Sequence, residues 1–209
     1  IPFLLIMAIG PKLKWIKSNL EDKIYLFTLL IISILLSILI VKNFSSNFLI
    51  NTILISSALY LFFITLRDFF SKRFKNLAQN TAHFGFSLLI LSILFNSLFS
   101  SEIITNLKVG QTFENTKAKI VFESLSQKEG ENYKSIIGNF IVQDSKGKIE
   151  NLSPELRIYN QPNITTSEAD IKTTLLSDKF IVINLVQNQE FFNVRYQVKP
   201  FMLWIWISV

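Results

Sequence analysis

His83 is the one histidine in this sequence, and its side chain suits both metal ligation and proton transfer near neutral pH. It lies roughly two turns in from Lys75, counting 3.6 residues per turn. At about 100° per residue, Asn76, Asn80, His83 and Ser87 share a helical stripe roughly 60° wide, flanked by Gln79. Ala78, Ala82 and Gly85 fall on the opposite side, where small residues permit close helix packing. A hydrogen-bonding stripe on an apolar helix must face protein, cofactor or water rather than lipid. Two readings of His83 follow: an axial ligand for haem iron, or an interfacial histidine bonded to a neighbouring helix. The residues alone weigh these evenly.

Most other chemistry is excluded. With no cysteine there is no disulfide framework, thiolate metal site or thiol relay. A zinc site at His83 would lack Cys and convergent carboxylates. The segment 100–199 contains no histidine, so it cannot hold a Ser/His/Asp constellation. There is no Gly-rich phosphate loop. The segment's twelve acidic and twelve basic residues read as solvated strand faces and edges. No catalytic residue is assigned.

The elements that must position His83 follow from composition. The chain has 209 residues, half of them hydrophobic, with a mean hydropathy of +0.39 and 17% charged residues. A soluble domain carries about a quarter charged residues, so the excess apolar content points to a membrane. Ile24–Val41 and Phe48–Leu66 are uncharged, and so is Asn76–Phe99, apolar from about Ala82 onward. These predict transmembrane helices at 24–41, 48–66 and 78–99, because a helix satisfies its own backbone hydrogen bonds in lipid. The apolar pieces 1–9 and 200–209 are each too short to span and are expected to be parts of two cut helices, the second starting at Pro200. The first lacks a basic leader, so a signal peptide is not expected.

Lys12, Lys14, Lys17 and Lys23 precede the first full span, and Arg67, Lys72, Arg73 and Lys75 precede the third; Lys42 alone lies in the connection between the first two. The two basic loops are two spans apart and therefore share a side, expected to be the cytoplasm. Residues 100–199 then face the periplasm or its mitochondrial equivalent. The formal charge of +6 belongs wholly to residues 1–99, so it reads as a topology signal and not as nucleic-acid binding.

Segment 100–199 changes period. Ala118, Ile120 and Phe122 alternate with Lys117, Lys119 and Glu123, and Phe192, Val194, Tyr196 and Val198 alternate with Asn193, Arg195 and Gln197. That is the pattern of strands with one buried face. A turn is expected at Asp144-Ser145-Lys146-Gly147 and a hairpin at Asn188-Gln189-Glu190, while Thr165-x-x-Glu168 could cap a short helix. The fold class is an integral membrane α-helical bundle with an inserted small β-rich domain, a sandwich or barrel.

Four stretches in order, IPFLLIMAIGPKLKW, AQNTAHFGFSLLI around His83, ELRIYNQPNITTSEADI and VKPFMLWIW, resemble the C-terminal third of the CcmF family. CcmF proteins are haem lyase subunits of cytochrome c biogenesis. The resemblance implies a protein that receives haem from a haem chaperone and works with a CcmH/CcmI-type partner. Together they attach haem to the Cys-x-x-Cys-His of an apocytochrome c. It also implies a haem b in the membrane bundle, an electron relay ligated by two transmembrane histidines, of which His83 matches the second. Asn80, Gln79 and Ser87 are then candidates for hydrogen bonding around that ligand. The family's Trp-rich segment, its two periplasmic haem-ligating histidines and its first transmembrane histidine have no counterpart here. The second axial ligand is therefore expected from a missing N-terminal portion or a separate subunit, and this chain by itself is not expected to complete the ligation. The β domain would be a docking surface for apocytochrome or chaperone, or a structural cap, with the cap favoured. Rival readings are a membrane receptor with a periplasmic sensor domain, and a transporter subunit with His83 on a proton or substrate path.

Overall fold

The computed structural model describes residues 2–10, 20–42, 47–70, 77–186 and 190–209. Lys12, Lys14, Lys17, Lys72, Arg73, Lys75 and Asn76, and the Asn188-Gln189 part of the expected hairpin, lie outside them. Two compact units are present: Ile1–Phe99 with Pro200–Val209, and Ser100–Lys199.

The first unit is helical: α1 (Pro2–Ile9), α2 (Leu20–Val41), α3 (Phe48–Phe70), α4 (Leu77–Phe99) and α5 (Met202–Ser208). Lys23–Val41, Phe48–Phe70 and Leu77–Phe99 are long and apolar enough to cross a membrane by length and composition. Neither α2 nor α3 contains Gly or Pro, and large apolar side chains such as Phe27 and Leu49 point outward, 63% and 73% exposed. Such a surface is at home in lipid and not in water. α3 continues past the expected end at Leu66, and its last turn places the Arg67 guanidinium 3.9 Å from the centroid of the Tyr25 ring on α2. A cation there also complements the helix C-terminal dipole.

Small hydroxyl residues let these helices approach. Ser33 and Ser37 of α2 and Ser57 of α3 are buried, and each donates to a carbonyl of its own helix at 2.8 Å. With their protons spent locally they act as small apolar residues. On another side of α3, Leu4 and Ala8 of α1 pack with Tyr60, Leu61 and Ile64, and Phe86 and Ile90 of α4 close that cluster.

The last helix does not start where the sequence suggests. Pro200 is the final residue of strand β10 (Phe192–Pro200), Phe201 turns through a left-handed conformation at φ 61°, and the helix begins at Met202. Proline's missing N–H is as harmless at a strand end as at a helix start. The Asn96 Nδ2 of α4 donates to the Pro200 carbonyl at 2.6 Å, and the Phe95 and Phe201 rings meet at 5.3 Å.

The second unit is a two-sheet β-sandwich. One sheet has the order β1-β10-β9-β8, with β1 Ser101–Leu107, β9 Ser177–Leu185 and β8 Asp170–Thr173. The other runs β2-β3-β4-β6-β7, with β5 also paired to β4. Its strands are β2 Thr112–Glu114, β3 Ala118–Glu129, β4 Tyr133–Asp144, β5 Ile149–Leu152, β6 Glu155–Tyr159 and β7 Thr165–Glu168. The expected inward faces are largely the observed ones, with Val198 only partly buried, while Gln197 of the expected wetted face is buried too. Ala118, Ile120 and Phe122 from one sheet meet Phe192, Val194 and Tyr196 from the other in a single core with Ile181 and Ile183. Phe122 stacks on Phe140 at 4.3 Å and meets Phe192 edge-on. Gly138 is required there, since a Cβ would stand 2.8 Å from the Phe140 ring and 3.2 Å from Ile183. After Phe122 a bulge breaks the register, and the rest of β3 is exposed.

The turn at Asp144–Gly147 forms as expected: Asp144 Oδ1 accepts from the backbone N–H groups of Lys146 and Lys148, and Gly147 has φ 80°. The Thr165-x-x-Glu168 helix does not. Those residues form β7, paired antiparallel with β6 from Glu155↔Glu168 to Ile158↔Thr165. Two adjacent β-branched threonines fit a strand, and the edge of β6 offers backbone bonds that outweigh one cap.

Candidate functional site

α4 carries polar residues on two faces, and its neighbours account for most of them. Ser87 is fully buried, and its Oγ lies 2.8 Å from Thr65 Oγ1 of α3. One hydroxyl donates to the other while its partner donates to a carbonyl of its own helix, Phe84 O or Leu61 O. One turn or more toward the helix start, Asn80 Nδ2 donates to the Asp68 carbonyl of α3 at 3.2 Å. Beside them Phe84 stacks on Phe69 at 5.1 Å and meets Phe62 at 5.7 Å. The stripe that the spacing predicts therefore runs along α3. On the far side, a Cβ on Gly85 would stand 2.8 Å from the Ser208 carbonyl of α5. Only glycine permits that approach. Ala78 and Ala82, expected to share this role, are exposed.

His83 lies between Asn80 and Ser87 on the stripe and is partly buried. Among the described residues its imidazole has no hydrogen-bond or ion-pair partner. Gln79 is exposed. The structure thus brings Asn80 and Ser87 together with α3, where they fix the rotation and height of α4. Among the described residues the His83 ring, on the same face, has no such bond. A neutral imidazole offers one lone pair to a metal, so His83 alone could supply a single ligand and no second. No group of three His, Cys, Asp or Glu side chains that could hold a metal ion occurs among the described residues.

The sandwich holds a second constellation that the sequence does not announce. Lys179 of β9 is 9% exposed, and its Nζ lies 3.1 Å from Asp144 Oδ2 and 3.2 Å from Glu150 Oε2. Lys148 closes on the other Glu150 oxygen at 2.7 Å. Burial opposes ionisation of both carboxyls, but the bonds from Lys179 and Lys148 prevail and hold Asp144 and Glu150 below the ordinary carboxylate range. Tyr196, 2% exposed, has a phenol pushed above its ordinary value by burial and by the Glu150 and Asp144 charges. These residues come from β4, β5, β9 and β10, so only the topology unites them. Elsewhere the charges pair on the surface, as Arg195 does with Glu102, an arrangement worth little in stability; the buried Gln197 amide also donates to Glu102.

Comparison with known proteins follows this division. Residues 98–200 match the model of the CcmF C-terminal β-sandwich. The chain is similar to the cytochrome c-type biogenesis protein CcmF of Haemophilus influenzae, 26% identical over 225 residues, covering 99% of this chain and 34% of that one. It is 28% identical over 127 residues to the Pseudomonas aeruginosa CcmF, covering 61% of this chain and 19% of that one. Among solved structures, one described as cytochrome c haem lyase CcmF superposes with a TM-score of 0.72 at 18% identity. It covers 98% of this chain and 36% of that chain. The chain thus spans about a third or less of the length of these relatives.

Proposed function

We propose that this chain, a member of the CcmF family, is the haem-b-holding part of a haem lyase subunit in cytochrome c maturation. One observation carries this reading: His83 sits partly buried and, among the described residues, unpartnered on a face where Asn80 and Ser87 are bonded to α3. A histidine kept only for packing would be expected to bond a neighbour as they do.

In this reading α3 holds α4 at one rotation through the Thr65–Ser87 and Asp68–Asn80 bonds, which orients the imidazole. Asn80 and Ser87 then position the helix, while Gln79 is the polar side chain with freedom to bond around the ligand. A b-type haem bound there would supply one-electron transfer. The second axial ligand would come from the remaining length of the family's proteins. The partners proposed are a CcmH/CcmI-type lyase component, a haem chaperone and apocytochrome c. The helices would lie in the bacterial inner membrane or its mitochondrial equivalent, surrounded by lipid, with residues 100–199 in the periplasm. The curated relatives are cytochrome c biogenesis proteins, which does not favour the receptor or transporter readings.

The test is maturation of a reporter cytochrome c with His83→Gly in the complete lyase, with and without added imidazole. Loss of maturation that imidazole restores is expected. Normal maturation by the glycine variant would overturn the ligand role.

A further inference from the structure

One tight turn of the sandwich departs from ordinary turn chemistry. β8 and β9 are joined through Thr174-Leu175-Leu176-Ser177, and the two central leucines are 61% and 64% exposed. Hairpin loops of this length favour Asn, Asp and Gly. The β3–β4 connection, Gly130-Glu131-Asn132, and the β4–β5 connection, Ser145-Lys146-Gly147-Lys148, follow that preference. In the leucine turn the shape is held by Thr174. Its N–H and its Oγ1 donate to the Ser177 carbonyl at 3.0 and 2.7 Å, and its Oγ1 accepts from the Ser177 N–H at 3.1 Å. Adjacent large apolar side chains turned outward together mark a contact surface.

Topology places this turn. β1 and β10 pair with Ser101 opposite Val198, so the domain begins and finishes at one end of this sheet. β9 leads into β10 through a short connection across which the Val186 N–H donates to the Phe191 carbonyl, and both strands have nine residues. The first residue of β9 therefore stands where β10 finishes. The last residue of β8 is there too, since Thr173 faces Asp178. At about 4.8 Å per strand, the leucine turn lies roughly 10–14 Å across the sheet from β1.

Chain connection ties that end to the bilayer. α4 is long and apolar enough to cross a membrane and ends at Phe99. Its 23 residues rise about 34 Å, close to the thickness of a hydrocarbon core. Only Ser100 separates it from β1, so Ser101 is within about 7 Å of the helix end.

We propose that the Leu175-Leu176 turn docks into the bilayer surface, with both side chains at the boundary between headgroups and acyl chains. The occupant is lipid because the sheet end that carries the leucines is the end tethered to a membrane-crossing helix. The turn gives the sandwich a second, non-covalent attachment to the membrane beside its chain connections. This inference rests on α4 crossing the membrane and not on haem at His83.

Relaxation of a nitroxide label, read by electron paramagnetic resonance, tests it. The chain has no cysteine, so Leu176→Cys gives one labelling site in the intact chain, reconstituted in phosphatidylcholine nanodiscs. Glu131→Cys, in the polar β3–β4 connection, is the aqueous reference. Lipid-soluble oxygen, relative to a water-soluble nickel chelate, is expected to relax the label at 176 several-fold more effectively than the label at 131. Leu175→Cys supplies the same reading if the first variant assembles poorly. Equal ratios at the turn and at 131 would overturn the proposal. So would exclusion of both relaxants from the turn, which would mark a protein contact in place of lipid.

Discussion

The helical unit and the sandwich solve opposite problems with one chain. In the sandwich, Ile120, Phe122, Ile181, Ile183 and Val194 are fully buried between two sheets, and charge lies mainly outside. In the helical unit Leu39 and Leu49 are 67% and 73% exposed, while the serines of α2 and α3 are hidden. The lesson concerns what a polar residue means in each. On the sandwich a charge is ordinary and carries little information. On a helix immersed in lipid a hydrogen-bonding side chain must be accounted for, and Ser33, Ser37, Ser57, Asn80 and Ser87 all are. Among the described residues, His83 is the ionisable side chain of α4, and it has no hydrogen-bond or ion-pair partner.

The largest expected effect tests the independence of the two units. Phe122→Ala should destabilise the sandwich by about 3–5 kcal/mol, since it removes a ring stacked on Phe140 and edge-on to Phe192. Hydrogen exchange in β3 and β4 should rise, with exchange in α3 and α4 unchanged. A matching rise in the helices would break the comparison.

Next, Gly85→Leu should disturb α4 against α5, because even a Cβ would stand 2.8 Å from the Ser208 carbonyl. Overpacking of that kind costs about 1–3 kcal/mol. Thermal unfolding in detergent, followed by tryptophan emission, should shift downward.

Titration separates the units further. The folded carboxyls of Asp144 and Glu150 lie below their ordinary values of 3.8 and 4.5. The stability from their pairing with Lys179 is present above those values and lost as pH falls through the lower folded ones. Tyr196 works in the other direction. Its phenol is raised above 10.0, so the stability of burying it neutral is intact below pH 10 and lost as pH climbs beyond. Protection of the β9 and β10 amides, relative to their intrinsic exchange rates, should therefore fall at both extremes, the alkaline fall shrinking in Tyr196→Phe.

The smallest effect sharpens the account of α4. Ser87→Ala removes a buried interhelical bond to Thr65, and such bonds in membranes average about 0.6 kcal/mol. The helices should stay assembled with only a slight fall in thermal stability.

These predictions rest on features of unequal legibility. Period-two faces such as Ala118-Ile120-Phe122 and the long uncharged runs are local, so the sequence displays them directly. The polar stripe of α4 was also readable, because helical geometry fixes which residues share a face. What that stripe faces was not, since Ser87 finds Thr65 across twenty-two positions and a different helix. β7 runs against its Thr-x-x-Glu spacing because that spacing is a local signal and the edge of β6 that claims the segment is not. The left-handed Phe201 contradicts its own preference, and nothing local in the sequence signals it. The Lys179–Asp144–Glu150–Tyr196 cluster draws on four strands, so no spacing along the chain could have revealed it.

The central claim is that His83 ligates haem, and the visible absorption spectrum of the complete purified lyase tests it most directly. His83→Ala should abolish or sharply reduce a b-type Soret band, while Tyr196→Phe, confined to the sandwich, should leave the band intact. An unaltered Soret band in His83→Ala, with cytochrome maturation retained, would contradict the account.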